Sequence, residues 1–401
     1  MIAPYLLMVA FFLSMAFLGA LDVAFTSAGW LSWFSGLPWL RAHFITLGIL
    51  LEATFGLLPF LVPRRDGQDP PMRWDIWLAL NGGLLLLLIG IPLINAALLA
   101  GGGTLIFVAA TLLLLQLSQG RRRPAARLKA GSGRSFYAAA LLYLLWGIFL
   151  GTGLWLGWGQ ALGIANPKEV HVHANLWGFT ALLFAGLLVD LYAQVSGRQL
   201  AWPRSRPAIF WSMALGALGL VLGPWLGANA LTAGGLVVHT TGTLLLLANM
   251  IRPLWGRCEA RRAGLAHLIG AYVWLLLPVV VAPFIVARVD SAAVRNVELS
   301  GAPILVYGWI LQFAYALIPF LFARTLNGDE TVRLGGNWLS LATIHAGGIA
   351  YALSLFLGIQ TGLLPALAFI LWAISMLPIL RDLWRLVAQE AQRRATAHRP
   401  I

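Results

Sequence analysis

A single cysteine, Cys258, occurs in the 401 residues. That excludes an intramolecular disulfide and a multi-thiolate cluster, so any metal held by this chain is held by nitrogen and oxygen. Charge is equally scarce. Only 10% of the residues are charged, where an ordinary soluble domain carries about 25%. The chain also lacks the period-two alternation, in segments of about ten residues, that a transmembrane barrel requires. A run such as residues 83–89, Gly-Leu-Leu-Leu-Leu-Leu-Ile, shows none of it. No strand, turn and helix surround the series Gly219, Gly223 and Gly227, which reads as a small-residue packing seam and not as a nucleotide loop.

What is abundant is apolar: 60% of the residues are hydrophobic and the mean hydropathy is +0.83. A spanning helix takes roughly 20 apolar residues. Such runs fall near 4–26, 41–62, 75–97, 102–118, 136–158, 169–192, 207–226, 231–250, 264–287, 299–323, 336–357 and 361–380. They predict an all-α polytopic membrane protein of about twelve transmembrane helices, with the lipid bilayer as its surroundings. The first run has no basic segment before it and no small-residue cleavage site, so it is expected to be retained as a helix. Of 18 tryptophans, Trp30, Trp33, Trp39, Trp155 and Trp158 sit near run ends, as an interfacial belt does.

An interval of 130 residues carries His43, Gly48 and Gly56 onto His173, Gly178 and Gly186, and a second step leads to Pro303, Gly308 and Ala316. Two steps also relate Pro59 to Pro319 and Arg64 to Arg324. A match along a whole helix predicts three four-helix repeats, 1–130, 131–262 and 263–385, followed by a tail at 386–401. One transmembrane domain with pseudo-threefold symmetry is expected, its pores lined by the second, sixth and tenth helices.

The net charge of +13 is distributed by topology. Arg64, Arg65 and Arg73 follow the second run; Arg121, Arg122, Arg123, Arg127, Lys129 and Arg134 follow the fourth; Arg198, Arg204 and Arg206 follow the sixth. Arg252, Arg257, Arg261 and Arg262 follow the eighth, Arg324 and Arg333 the tenth, and Arg381, Arg385, Arg393 and Arg394 the twelfth. Basic residues collect on the cytoplasmic side of spanning helices. Both termini are therefore expected inside a prokaryotic cytoplasmic (inner) membrane, and the charge calls for no nucleic-acid partner.

Chemistry is left to a few intramembrane ionisable residues. His43, His171 and His173 open their helices at the external edge, and His239 and His345 fall near mid-bilayer, so five imidazoles share one zone. His267 and His398 lie at the cytoplasmic side. At about 100° per residue, His171 and His173 point about 200° apart and cannot chelate one ion together. They face two compartments, either as ligands to separate centres or as one functional and one interfacial histidine. A lone helix-end histidine is as readily a packing residue. Glu52 and Asp190 read either as proton-relay carboxylates or as partners for neighbouring helices; Asn81, Asn175, Thr240, Thr241 and Thr343 read as interhelical hydrogen-bond formers.

The stretch Glu169-Val-His171-Val-His173-Ala-Asn175-Leu-Trp177-Gly178-Phe179, leading to Gly186 and Gly197-Arg198, resembles the His-x-His helix motif of haem-copper oxidase subunit I, particularly the cbb3 type. Arg41-Ala-His43, with Gly56 and Pro59 downstream, resembles the second helix of that superfamily, whose histidine ligates a low-spin haem. The plan of twelve helices with pseudo-threefold symmetry is shared, and there is also a resemblance to the NnrS family, membrane proteins associated with haem, copper and nitric oxide.

That resemblance implies haem at His43 and a copper position at His173, and His171 and His173 join His43 as cofactor-binding candidates. The oxidase pattern is incomplete: Gly301 and Pro303 stand where the tenth helix should carry histidines, and Arg206-Pro-Ala-Ile-Phe-Trp stands where a histidine pair should open the seventh. His239 and His345 are the candidate replacement metal ligands, and Glu52 the candidate proton-handling residue. The expectation is a haem- or copper-binding membrane protein, a redox protein or oxidoreductase of that superfamily, handling electrons from a donor, nitric oxide or a similar small gas, without a complete oxygen-reducing site. The alternative is a histidine-lined transporter or channel for a metal ion, a proton or a small molecule.

Overall fold

In a computed structural model of the chain, residues 2–30, 38–62, 70–119, 133–256, 262–328 and 333–397 are described, and the regular elements among them are all helical. Trp33, Arg64, Arg65, Arg121, Arg122, Arg123, Arg127, Lys129, Arg257, Cys258, Arg261 and His398 lie outside the described residues. In chain order the helices are α1 (Ala3–Ser27), α2 (Trp39–Leu61), α3 (Trp74–Gly90), α4 (Ala96–Ser118), α5 (Arg134–Leu156) and α6 (Pro167–Ser196). They continue as α7 (Arg206–Leu226), α8 (Asn229–Ile251), α9 (Ala263–Val286), α10 (Ile304–Asn327), α11 (Trp338–Phe356) and α12 (Leu363–Ala397). Eleven are long and apolar enough to cross a membrane, which suits a polytopic protein in a lipid bilayer.

The exception, α3, corrects the expected run at 75–97. It ends at Gly90, and the chain turns through Ile94 at positive φ into Asn95, whose side chain accepts from the Leu98 amide at 3.0 Å and caps α4. The helix break thus falls earlier than the gap expected between the runs 75–97 and 102–118, and Gly101–Gly103 lie beyond it. Those glycines lie inside α4, where they let α3 approach: a Cβ on Gly83 would sit 2.8 Å from the Gly102 carbonyl. A second shift occurs before α10, where Ala292–Ser300 forms a separate short helix and the long helix begins after Pro303.

The chain forms two compact units, Met1–Leu58 with Cys258–Ile401, and Pro59–Arg257. In the first, α1 packs on α12 and on α2, α11 on α12, and α9 on α10; in the second, α3 pairs with α4, α7 with α8, and α6 lies against α5 and α7. The most buried helices are α2, α6 and α10, at 78%, 89% and 100% of their apolar windows, against 28–50% for the others. All three carry a wider π-helical stretch, at Phe44–Leu51, Ala174–Thr180 and Ile304–Leu311. Each stretch places a glycine, Gly48, Gly178 or Gly308, against an aromatic ring of α1, α5 or α9, namely Phe12, Tyr143 or Trp274; a Cβ at any of the three would collide with its ring.

Buried charges in these packings have partners. Asp22 of α1, fully buried, meets Arg41 of α2 at 2.7 Å. Asp190 of α6 accepts from the Tyr137 hydroxyl at 2.9 Å and the Gly133 amide at 2.8 Å, pinning the start of α5. Of the two readings open for Asp190, the interhelical partner is the one this geometry provides.

Candidate histidine site

His43, His171 and His173 lie where short α-helical turns, Pro38–His43 and Pro167–His173, run into the π stretches of α2 and α6. Each turns Nδ1 to a backbone carbonyl. The partners are Trp39 for His43, at 2.7 Å, Gly147 of α5 for His171, at 2.9 Å, and Leu220 of α7 for His173, at 2.7 Å. A carbonyl only accepts, so in each neutral ring Nδ1 carries the proton and Nε2 carries the lone pair. At His171 the Asn175 amide lies 3.2 Å from Nδ1, but it donates to the His171 carbonyl at 2.9 Å. Neither His171 nor His173 gives Nε2 a hydrogen-bond partner among the described residues.

Their orientations are imposed by neighbours. The His43 ring stacks on Trp39 with centroids 3.9 Å apart and planes at 14°. The His171 ring rests in the notch left by Gly151, where a Cβ would approach its Cε1 to 2.6 Å. His173 leans the other way, onto α7. The expected divergence of His171 and His173 is therefore seen as attachment to two different helices.

His239 and His345 are built differently. His239 is fully buried in α8; its Nε2 donates to the Trp177 carbonyl at 3.2 Å, its Nδ1 faces the Thr243 hydroxyl at 3.4 Å, and its ring meets Trp177 edge-on at 5.2 Å. At His345 of α11, Nδ1 accepts from the Trp274 indole at 3.1 Å. Its Nε2 donates to the Gln312 amide oxygen at 3.1 Å, in the amide orientation that also lets Gln312 donate to the Gly308 carbonyl at 2.8 Å. Gly270 leaves the space, since a Cβ there would lie 2.9 Å from His345 Nε2. Of the candidate metal ligands, His345 thus has both ring nitrogens engaged, while at His239 the Thr243 hydroxyl also donates to the His239 carbonyl at 3.1 Å and only Nε2 is committed. Among the described residues no group of three or more His, Cys, Asp or Glu side chains is placed to hold a metal ion.

Glu52 is wholly buried in α2, directly after the π stretch, in the register that Gln312 occupies in α10. His267 is also fully buried. Its Nε2 lies 2.9 Å from the Ser340 hydroxyl and 3.2 Å from the Asn337 carbonyl, stapling α9 to the start of α11. Sequence reasoning passed over Gln312, Trp274, Gly147, Gly151 and Gly270, which position these rings. A carbonyl or a missing Cβ carries no side-chain signal, although Gln312 stood out as an amide within an apolar run.

The chain matches no family model and no curated protein sequence.

Proposed function

We propose that this chain is a haem-binding integral membrane protein related to the haem-copper oxidases and to the NnrS-like proteins, passing electrons or handling nitric oxide or a similar small gas. In this reading it sits in a prokaryotic inner membrane with both termini inside, as three four-helix repeats. Support for the repeats comes from the π stretches, whose first residues, Phe44, Ala174 and Ile304, are spaced as the sequence repeat is.

The observation that carries the proposal is the ring orientation of His43, His171 and His173. A histidine that ligates iron is held by its other ring N–H, commonly on a backbone carbonyl, which fixes the tautomer and aims the ligating nitrogen. All three rings meet that condition through Nδ1. They fit single axial ligation. A copper centre drawing on His345 would have to displace its bonds to Trp274 and Gln312. Haem bound at these nitrogens would supply one-electron chemistry and a place for a gas to bind. The chain's own part is to orient each imidazole, to exclude water with the rings of Trp39 and Trp177, and to hold a proton at the buried Glu52 carboxyl.

The test is an optical spectrum with elemental analysis of protein purified after expression with haem supplied. We expect a Soret band that weakens in His43→Ala, His171→Ala or His173→Ala and is unchanged in His398→Ala. A colourless, metal-free preparation sinks the proposal and leaves the transporter or channel reading.

A further inference from the structure

We propose that His239 is the positioning residue for the histidine turn of α6, acting through its bond to the Trp177 carbonyl. This deepens the histidine-ligand reading above and rests on it for its functional consequence. Where a helix returns from π to α registry the hydrogen-bond ladder shifts from the fifth residue back to the fourth, and the carbonyl at that junction is left without an amide partner; in α6 the Ala181 amide still bonds the Leu176 carbonyl, so the stranded carbonyl is that of Trp177. Inside a buried helix no water replaces that partner, so another donor is needed.

Side-chain donors to backbone carbonyls recur around the three π stretches, but only His239 meets the carbonyl stranded at a junction. In α2 the Thr54 hydroxyl donates to the Leu50 carbonyl at 2.6 Å. In α10 the Gln312 amide donates to the Gly308 carbonyl at 2.8 Å. In α6 the Thr180 hydroxyl donates to the Asn175 carbonyl at 2.8 Å, and His239 donates to that of Trp177. The threonines and the glutamine act within their own helices. His239 reaches in from α8, which the close approach of Gly216 to the His239 backbone presses onto α7.

The consequence for the site is a matter of registry. Relaxation of a π stretch to α geometry turns everything before it by about one residue, roughly 100°. His171 and His173 immediately precede the stretch. Such a turn would take His171 off the Gly147 carbonyl and His173 off that of Leu220. Holding the Trp177 carbonyl therefore holds both ligand nitrogens in their directions.

Three variants of the full-length protein in detergent separate the donor from the ring. His239→Phe keeps the edge contact with Trp177 and removes the donor, His239→Met removes both, and His239→Gln keeps an N–H of similar reach. Amide hydrogen exchange across residues 170–181, read without haem, is expected to rise about fivefold in the Phe and Met variants, the loss of one buried hydrogen bond, and to return to within about twofold of wild type in the Gln variant. Wild-type exchange in His239→Phe overturns the proposal, as does a Gln variant that behaves like Phe. If the Phe and Met variants fail to fold, a folded Gln variant with wild-type exchange upholds the donor requirement, and failure of all three overturns it. A wild type without haem but with the expected exchange pattern removes the ligand reading and leaves the positioning role. Haem in the wild type with unaltered exchange in His239→Phe does the opposite.

Discussion

Tyr272 and Tyr307 bury their hydroxyls without a hydrogen-bond partner among the described residues, in α9 and α10 respectively. A buried polar atom left unsatisfied costs about 1–3 kcal/mol. Tyr307→Phe keeps the face-to-face stack on Trp372, at 4.7 Å and 5°, and removes that burden. We therefore expect both Tyr→Phe variants to melt higher than wild type, by about 1 kcal/mol in a thermal-shift series; lower melting would mean that the hydroxyls have a partner such as ordered water. Asp22 is the contrasting case. Removing one member of a buried ion pair strands the other charge, so Asp22→Ala should cost about 3–5 kcal/mol, whereas Asp22→Leu combined with Arg41→Met should recover most of it. A double variant as unstable as the single would show that the pair does more than neutralise itself. At this scale the sequence disclosed which ionisable side chains lie within the apolar runs, because an imidazole or carboxyl there stands out. It did not disclose which nitrogen of His239 or His345 is occupied, since the partners are a carbonyl of another helix in one case and an indole and an amide brought from other helices in the other.

Among the helices, approximate position was readable from apolar run length, with eleven of the twelve expected runs long and apolar enough to span a membrane, and the glycine spacing at Gly48, Gly178 and Gly308 was visible. The π geometry around those glycines was not, because hydropathy has the same pattern whether the ladder closes after four residues or five. Nor was the break before Asn95, where a cap and a positive-φ residue outweighed the three glycines that follow. The role of the repeated glycine is testable at Gly48. A methyl group there meets Cβ, Cγ and Cδ1 of Phe12, so the ring cannot simply swing aside. Gly48→Ala should destabilise by about 1–3 kcal/mol through overpacking, and adding Phe12→Ala should lessen the loss below the sum of the two separate changes. Additive losses, measured by the same unfolding assay, would show that α1 and α2 do not meet at this point.

For the molecule as a whole, the length of α12 and the placement of basic residues bear on the same question of orientation. Its 35 residues extend about 52 Å at 1.5 Å each, against a hydrocarbon core of about 30 Å. Roughly 15 residues must therefore stand outside the membrane, and the exposed end carries Arg381, Arg385, Arg393 and Arg394. In the topology proposed above, the arginines at that end are cytoplasmic. The same proposed topology turns the connection between α5 and α6, where Gln160 is exposed, outward. In a Cys258→Ser background, Gln160→Cys should react with a membrane-impermeant maleimide added to intact cells. Thr396→Cys should react only after the cells are opened, because its helix reaches water on the other face. Labelling of Thr396→Cys in intact cells would invert the proposed topology and move the His171 and His173 turn to the cytoplasmic face, where an external electron donor or gas-handling partner would have no access to it.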